Sequence, residues 1–77
     1  MIRFRLAELI ADKAFKERRV VSIAEVAEAT GIHRATLSKI AHQPGANTVT
    51  DHIDRLCSYF KCEVSDVMAY HDEDESR

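Results

Sequence analysis

The residues best suited to chemistry stand together in Arg34-Ala35-Thr36-Leu37-Ser38-Lys39. They do not compose a catalytic set. Ser38 lacks a triad, Cys57 has no evident His base beside it, and no glycine loop is present to cradle phosphate. No enzyme is expected, and recognition chemistry fits better. A guanidinium such as that of Arg34 matches guanine O6 and N7 with two directional bonds. Ala35 or the Thr36 methyl suits a thymine methyl, and Ser38 can donate or accept. Lys39 reaches either a base or a phosphate. These side chains read double-stranded DNA only if one helix presents them together.

The surrounding spacing supplies that helix. In residues 22–41, Ile23, Val26 and Ala27 recur at helical intervals, as do Leu37, Ile40 and Ala41. Thr30-Gly31-Ile32 stands between the runs, with glycine where a left-handed residue would close the first helix. Ala27 is small enough for a second helix to cross closely. Two short helices joined by a Gly-containing turn make a helix-turn-helix. With Leu37, Ile40 and Ala41 inward, the helical wheel turns Ala35, Ser38, Lys39 and His42 outward. Arg34 then lies at the N-terminus of the second helix, the end that such motifs aim at base edges. That helix starts near His33 or Arg34, and His33 suits its cap.

The remaining segments frame this motif. Ile2 and Phe4 alternate with Arg3 and Arg5, as in a short half-buried strand. Residues 6–15 read as helix 1, its apolar stripe of Leu6, Leu9, Ile10 and Ala14 widened by Ala11 and Phe15. The run Lys16-Glu17-Arg18-Arg19 either extends that helix or begins a loop, as a solvated face or as a phosphate contact. Ser22 caps helix 2, and Glu25 completes a capping box. Residues 42–47 form a Pro-Gly loop, after which Thr48 with Asp51 caps helix 4 along Val49, Ile53, Leu56, Cys57 and Phe60. Residues 64–68 make a last helical turn or two. Ala69-Tyr70-His71 can return to pair with residues 2–4.

With 77 residues, 45% hydrophobic and 31% charged, the chain fits one small domain over residues 1–71 and a disordered acidic tail over 72–77. Cys57 and Cys62, even joined by His42 or His52, match no common zinc spacing, so no metal is expected; Cys57 reads as a small core residue. Nothing suggests a cofactor, a small-molecule ligand, a signal peptide or a membrane span, and a cytoplasmic location follows. The net charge of −2 divides unevenly. Asp72 to Glu75 hold four of 13 acids and Arg77 one of 11 bases, leaving 10 bases and 9 acids, or +1, in residues 1–70. Local placement must therefore carry any attraction for DNA.

The segments MIRFRLAELIAD, VAEATGIHRATLSKIA, NTVTDHIDRLCSYFKC and VSDVMAY resemble, in type and order, small Cro and lambda-repressor type (Xre) regulators. The resemblance implies an all-α, five-helix fold whose third helix enters the major groove of DNA. It implies base reading by Arg34, Ala35, Thr36, Ser38 and Lys39. For phosphate, the start of helix 2 at Ser22 and Ile23 offers free backbone N–H groups and a positive dipole end. His42, Asn47 and Thr48 join that set, although Asn47 and Thr48 are also ordinary turn and cap residues. One short recognition helix reads few bases, so a homodimer on a palindromic operator is expected. An antitoxin-like or adaptor role that keeps the fold for protein interaction is the alternative, supported by the near-neutral body. Two departures stand out: residues 16–21 exceed the usual short link, and Lys61 replaces a customary Gly.

Overall fold

The computed structural model describes residues 1–72; residues 73–77, and with them most of the acidic end expected to be disordered, lie outside the described residues. Five helices, α1 (Leu6–Glu17), α2 (Ile23–Thr30), α3 (Arg34–His42), α4 (Thr50–Phe60) and α5 (Val64–Val67), lie between strands β1 (Ile2–Phe4) and β2 (Met68–Tyr70). Each helix sends one side chain wholly out of solvent: Leu6, Val26, Leu37, Leu56 and Val67 are all 0% exposed. Burying each such side chain contributes about 1.5–3 kcal/mol, so the five anchors fasten five short helices that could not persist alone. The all-α reading with one short strand pair holds.

The ribbon closes the chain on itself. β1 and β2 run antiparallel, with Ile2 opposite Tyr70, Arg3 opposite Ala69 and Phe4 opposite Met68. Met1 and His71 exchange bonds of 2.8 and 2.9 Å, and the Arg5 N–H donates to Val67 O at 2.7 Å. Because the ladder already engages Val67, Met68 is extended (φ −147°, ψ 149°) and begins the strand rather than ending the last helix. The pairing therefore takes Met68–Tyr70, one residue earlier than the sequence suggests.

Other boundaries shift for local reasons. α1 runs on to Glu17, but Phe15 is 86% exposed and Ala11 is also outside the core. At about 100° per residue Phe15 lies roughly 180° around the helix from Leu6, so it cannot widen the same stripe. α3 includes His42, which was expected in the loop; Gln43 N–H donates to Lys39 O at 2.9 Å and closes the helix there. α4 is capped by Val49, which has no side-chain oxygen. Thr48 stands one residue too early to cap, and its hydroxyl instead lies 3.3 Å from His52 Nδ1.

Two helices end on side-chain-bearing residues in the left-handed region. Arg18 (φ 54°) closes α1, and Lys61 (φ 55°) closes α4 where a Gly was expected. At the second site Cys62 N–H donates to Cys57 O at 3.1 Å, a helix-closing bond that draws two half-buried free thiols together. Burial, and then the neighbouring Cys57, raise the Cys62 thiol above its ordinary value. A left-handed non-glycine costs about 1–2 kcal/mol, and glycine returns part of that as extra freedom when unfolded. Lys61→Gly and Arg18→Gly should each stabilise the domain by about 0.5–1 kcal/mol, raising the thermal midpoint by about 2–8 °C. Paired calorimetric scans would check this, and an unchanged or lower midpoint would contradict the strain.

Candidate nucleic-acid interface

α2 starts where Ser22 Oγ accepts from Glu25 N–H at 3.1 Å. The expected capping box is only half formed. The Glu25 carboxylate faces Arg19, whose Nη1 and Nη2 donate to its two oxygens at 2.7 and 2.6 Å, and so cannot return to the Ser22 N–H. Arg19 Nε also donates to Glu17 at 2.9 Å, Glu17 binds Lys13, and Lys13 Nζ lies 5.0 Å from the centre of the Tyr59 ring. The long link between α1 and α2 is thus tied down by charge. Arg19, one of the basic run, spends its fork on carboxylates.

The turn between α2 and α3 is built from three residues. Thr30, 8% exposed, donates its hydroxyl to Val26 O at 2.7 Å and accepts from Ile32 N–H at 3.3 Å, so its buried polar group is satisfied. Gly31 takes φ 75° and donates to Ala27 O at 2.8 Å. Arg55 of α4 donates from Nη1 to Thr30 O at 3.0 Å while its Nε lies 2.9 Å from Asp51. A Cβ on residue 31 would stand 2.9 Å from that same Nη1. The arginine therefore occupies space that the missing side chain leaves open.

α3 then projects from this turn. His33 caps it, Nδ1 accepting from Ala35 N–H at 3.1 Å, which needs a lone pair on that nitrogen. Leu37 and Ile40 face the core, while Arg34, Ala35, Ser38, Lys39 and His42 are exposed and Thr36 is half-buried between the two faces. Neither Arg34 nor Lys39 has an ion pair among the described residues. Arg34 borders an open groove between α2 and α3 shared with Ala27 and Glu28.

Residues 5–73 match the Cro/C1-type HTH DNA-binding domain. The chain belongs to that family. No curated protein and no solved structure gives a significant match. The HTH domain is thus a DNA-binding one by family.

The residues expected at phosphates fall around this HTH unit unevenly. Ser22 is exposed and Ile23 half-buried at the positive end of α2; Asn47 is exposed and Thr48 half-buried in the α3–α4 loop, which Gly45 fastens to β1 by donating to Ile2 O at 3.1 Å. His42 ends α3 on the outward side. Sequence reasoning missed Arg55. Only the i, i+4 spacing of Asp51 and Arg55 hinted at it, and that spacing says nothing of the reach to Thr30.

Two outcomes follow for the HTH domain. Gly31→Ala should destabilise by about 1–2 kcal/mol through its left-handed backbone, and Arg55→Ala by about 0.5–1 kcal/mol, since that guanidinium is half exposed. In the double variant the losses should be less than additive, because removing Arg55 clears the space that the new Cβ needs. Full additivity in denaturant titrations would mean the two groups do not share that space. Acid acts through the charge network. Arg19 holds Glu25 below its ordinary 4.5, and Lys13 first and Arg19 second do so for Glu17. Both carboxylates bind protons more weakly when folded, so their stabilisation is present above about pH 4.5 and is lost as pH falls through the lower folded values. Arg19→Met should therefore flatten the decline of stability below about pH 4.5. A parallel decline in variant and parent would show that the network does not set acid sensitivity.

Proposed function

We propose that this protein is a sequence-specific transcriptional regulator that lays α3 in the major groove, as a homodimer on a palindromic operator. The observation that carries the reading is the α3 outer face. It holds one unpaired guanidinium at the helix start and one unpaired ammonium a turn later, with small or hydroxylic side chains between. In this arrangement Arg34, Ala35, Thr36, Ser38 and Lys39 meet base edges. Ser22, Ile23, His42, Asn47 and Thr48 fix register on the phosphates. Two protomers place two half-sites about 34 Å apart, one helical turn. Residues 1–71 act as the DNA-binding unit, and the acidic end adds charge that opposes binding.

The adaptor reading has one observation of its own. Phe15 and Val20 are 86% and 85% exposed at the end of α1 and in the link, away from the core they could have joined. Mobility shifts with genomic fragments at low and moderate salt separate the two readings, since a protein-interaction module would leave every fragment unshifted.

Selection of bound fragments from a random duplex pool should return a palindrome. On that duplex Arg34→Ala should lose about 1–3 kcal/mol and relax preference at one base pair per half-site. Lys39→Ala should weaken all sequences more evenly and flatten the salt dependence by about one unit of slope per protomer. Uniform loss with unchanged base preference in Arg34→Ala would remove α3 from the groove.

A further inference from the structure

α4 ends in a double closure. Lys61 N–H donates to Cys57 O, and Cys62 N–H donates to the same oxygen at 3.1 Å. Lys61 takes the left-handed conformation, φ 55° and ψ 54°, that this closure needs. A helix end of this kind turns the chain back on itself, and the side chains of its first and last residues commonly touch. Apolar residues ordinarily make that contact. Here both positions are cysteines, each half-buried and each a free thiol. Ile53 and Leu56 are the side chains that α4 buries in the core, so neither cysteine is needed to hold the helix.

The spacing suits a covalent link. A disulfide joins Cα atoms about 4.4–6.8 Å apart, and one backbone hydrogen bond across a β-ladder already holds two residues at about 5.5 Å. Cys57 is near enough to help raise the Cys62 thiol. Both residues also border open space. Cys57 lines the groove that Val49, Ile53 and Val64 share, while Cys62 lines a second groove with Leu9, Lys16 and Lys61. A small solute reaches either residue without the helices separating.

We propose that Cys57 and Cys62 are a redox-modified pair, which hydrogen peroxide oxidises to a disulfide within one chain and a dithiol reductant restores. The Cys57 sulfur attacks one peroxide oxygen as the O–O bond breaks. Hydroxide leaves and takes up the Cys57 proton, and Cys57 becomes a sulfenic acid. The Cys62 sulfur then attacks that sulfur, so that S–S forms, S–O breaks, and water departs with the Cys62 proton. Two thiols thereby lose two electrons and two protons, and one peroxide becomes two waters. Burial holds the proton on Cys62, which suits it to the second step rather than the first. In reversal the dithiol is itself oxidised to a disulfide. Only the folded chain holds the closure, so fold and disulfide support each other by the same factor. The proposal is independent of what α3 binds.

The reduced full chain is treated with hydrogen peroxide at neutral pH and analysed by intact mass and a non-reducing gel. Both thiols should disappear together, with the loss of two hydrogen atoms and no chain-to-chain link. Cys62→Ser should stop at a sulfenic acid on Cys57, which a cyclic diketone traps, and Cys57→Ser should consume peroxide more slowly. Equilibration of the parent with glutathione, in buffer and in concentrated urea, then measures what the fold contributes. The native equilibrium constant for the disulfide should exceed the unfolded one about ten-fold or more, which is about 30 mV for this two-electron couple. The oxidised chain should accordingly melt at a higher temperature than the reduced one. Oxidation that gives only separate sulfenic acids or chain-to-chain disulfides overturns the pair. So does a native constant no larger than that in urea, or an oxidised chain that melts lower. Faster consumption by Cys57→Ser than by Cys62→Ser overturns the assigned order of attack.

Discussion

Residue 31 must be left-handed, and α4 must reach it. Those two requirements fix how α3 leaves the core. Gly31 meets the first at φ 75° without a Cβ. Arg55 meets the second by donating to Thr30 O from the space the absent side chain leaves. A backbone carbonyl at a helix end lacks an intrahelical partner, so a charged donor there is worth more than a surface contact of similar length. The turn is thereby tied to α4 as well as to its own helices. The direction of α3 is held from two sides, by Leu37 and Ile40 beneath it and by the turn that launches it.

A domain this small has little core to spare, and its ends are used accordingly. Each helix contributes one fully buried anchor, and the ribbon joins Met1 to His71 across nearly the whole described chain. The same ribbon reaches the α3–α4 loop through Gly45 and Ile2. In the proposed complex that loop touches phosphate. The bond from Gly45 would then couple the closure of the fold to the placement of a DNA contact, with no separate element devoted to either.

Much of this was legible in the sequence because it is periodic. The apolar spacing of Val26, Leu37 and Ile40, the glycine between them, and the alternation at Ile2 and Phe4 each depend on neighbours a few residues away. Local spacing decides less where a side chain has two local partners to choose from, or where a hydrophobic residue lies out of helix phase. Glu25 could cap α2 or meet Arg19, and the bidentate fork won. Thr48 could cap α4, but the helix began one residue later. Phe15 is hydrophobic enough for the stripe, but its position around the helix puts it outside. Arg55 was invisible for a different reason. Its partner lies 25 residues away at a backbone carbonyl, and no residue type marks a carbonyl.

The charge distribution gives the near-neutral sequence a physical sense. Glu17, Glu25 and Asp51 are held by Lys13, Arg19 and Arg55, so part of the acidic charge and of the basic charge cancels within the fold. What remains unpaired on α3 is Arg34 and Lys39. Affinity without sequence preference grows with the number of phosphates neutralised, and on α3 only Arg34 and Lys39 are there to neutralise them; Arg3, Lys16, Arg18 and Lys61, which also lack ion pairs among the described residues, lie off that helix. Glu28, beside Arg34 in the α2–α3 groove, further disfavours an indiscriminate approach to the backbone. For the regulator proposed above, a weak general attraction would leave base contacts a larger share of the binding free energy. Discrimination among sites depends on the ratio of specific to non-specific affinity rather than on affinity alone. A body with a charge near +1 is then compatible with selective binding, provided the cations of α3 stand where the bases are.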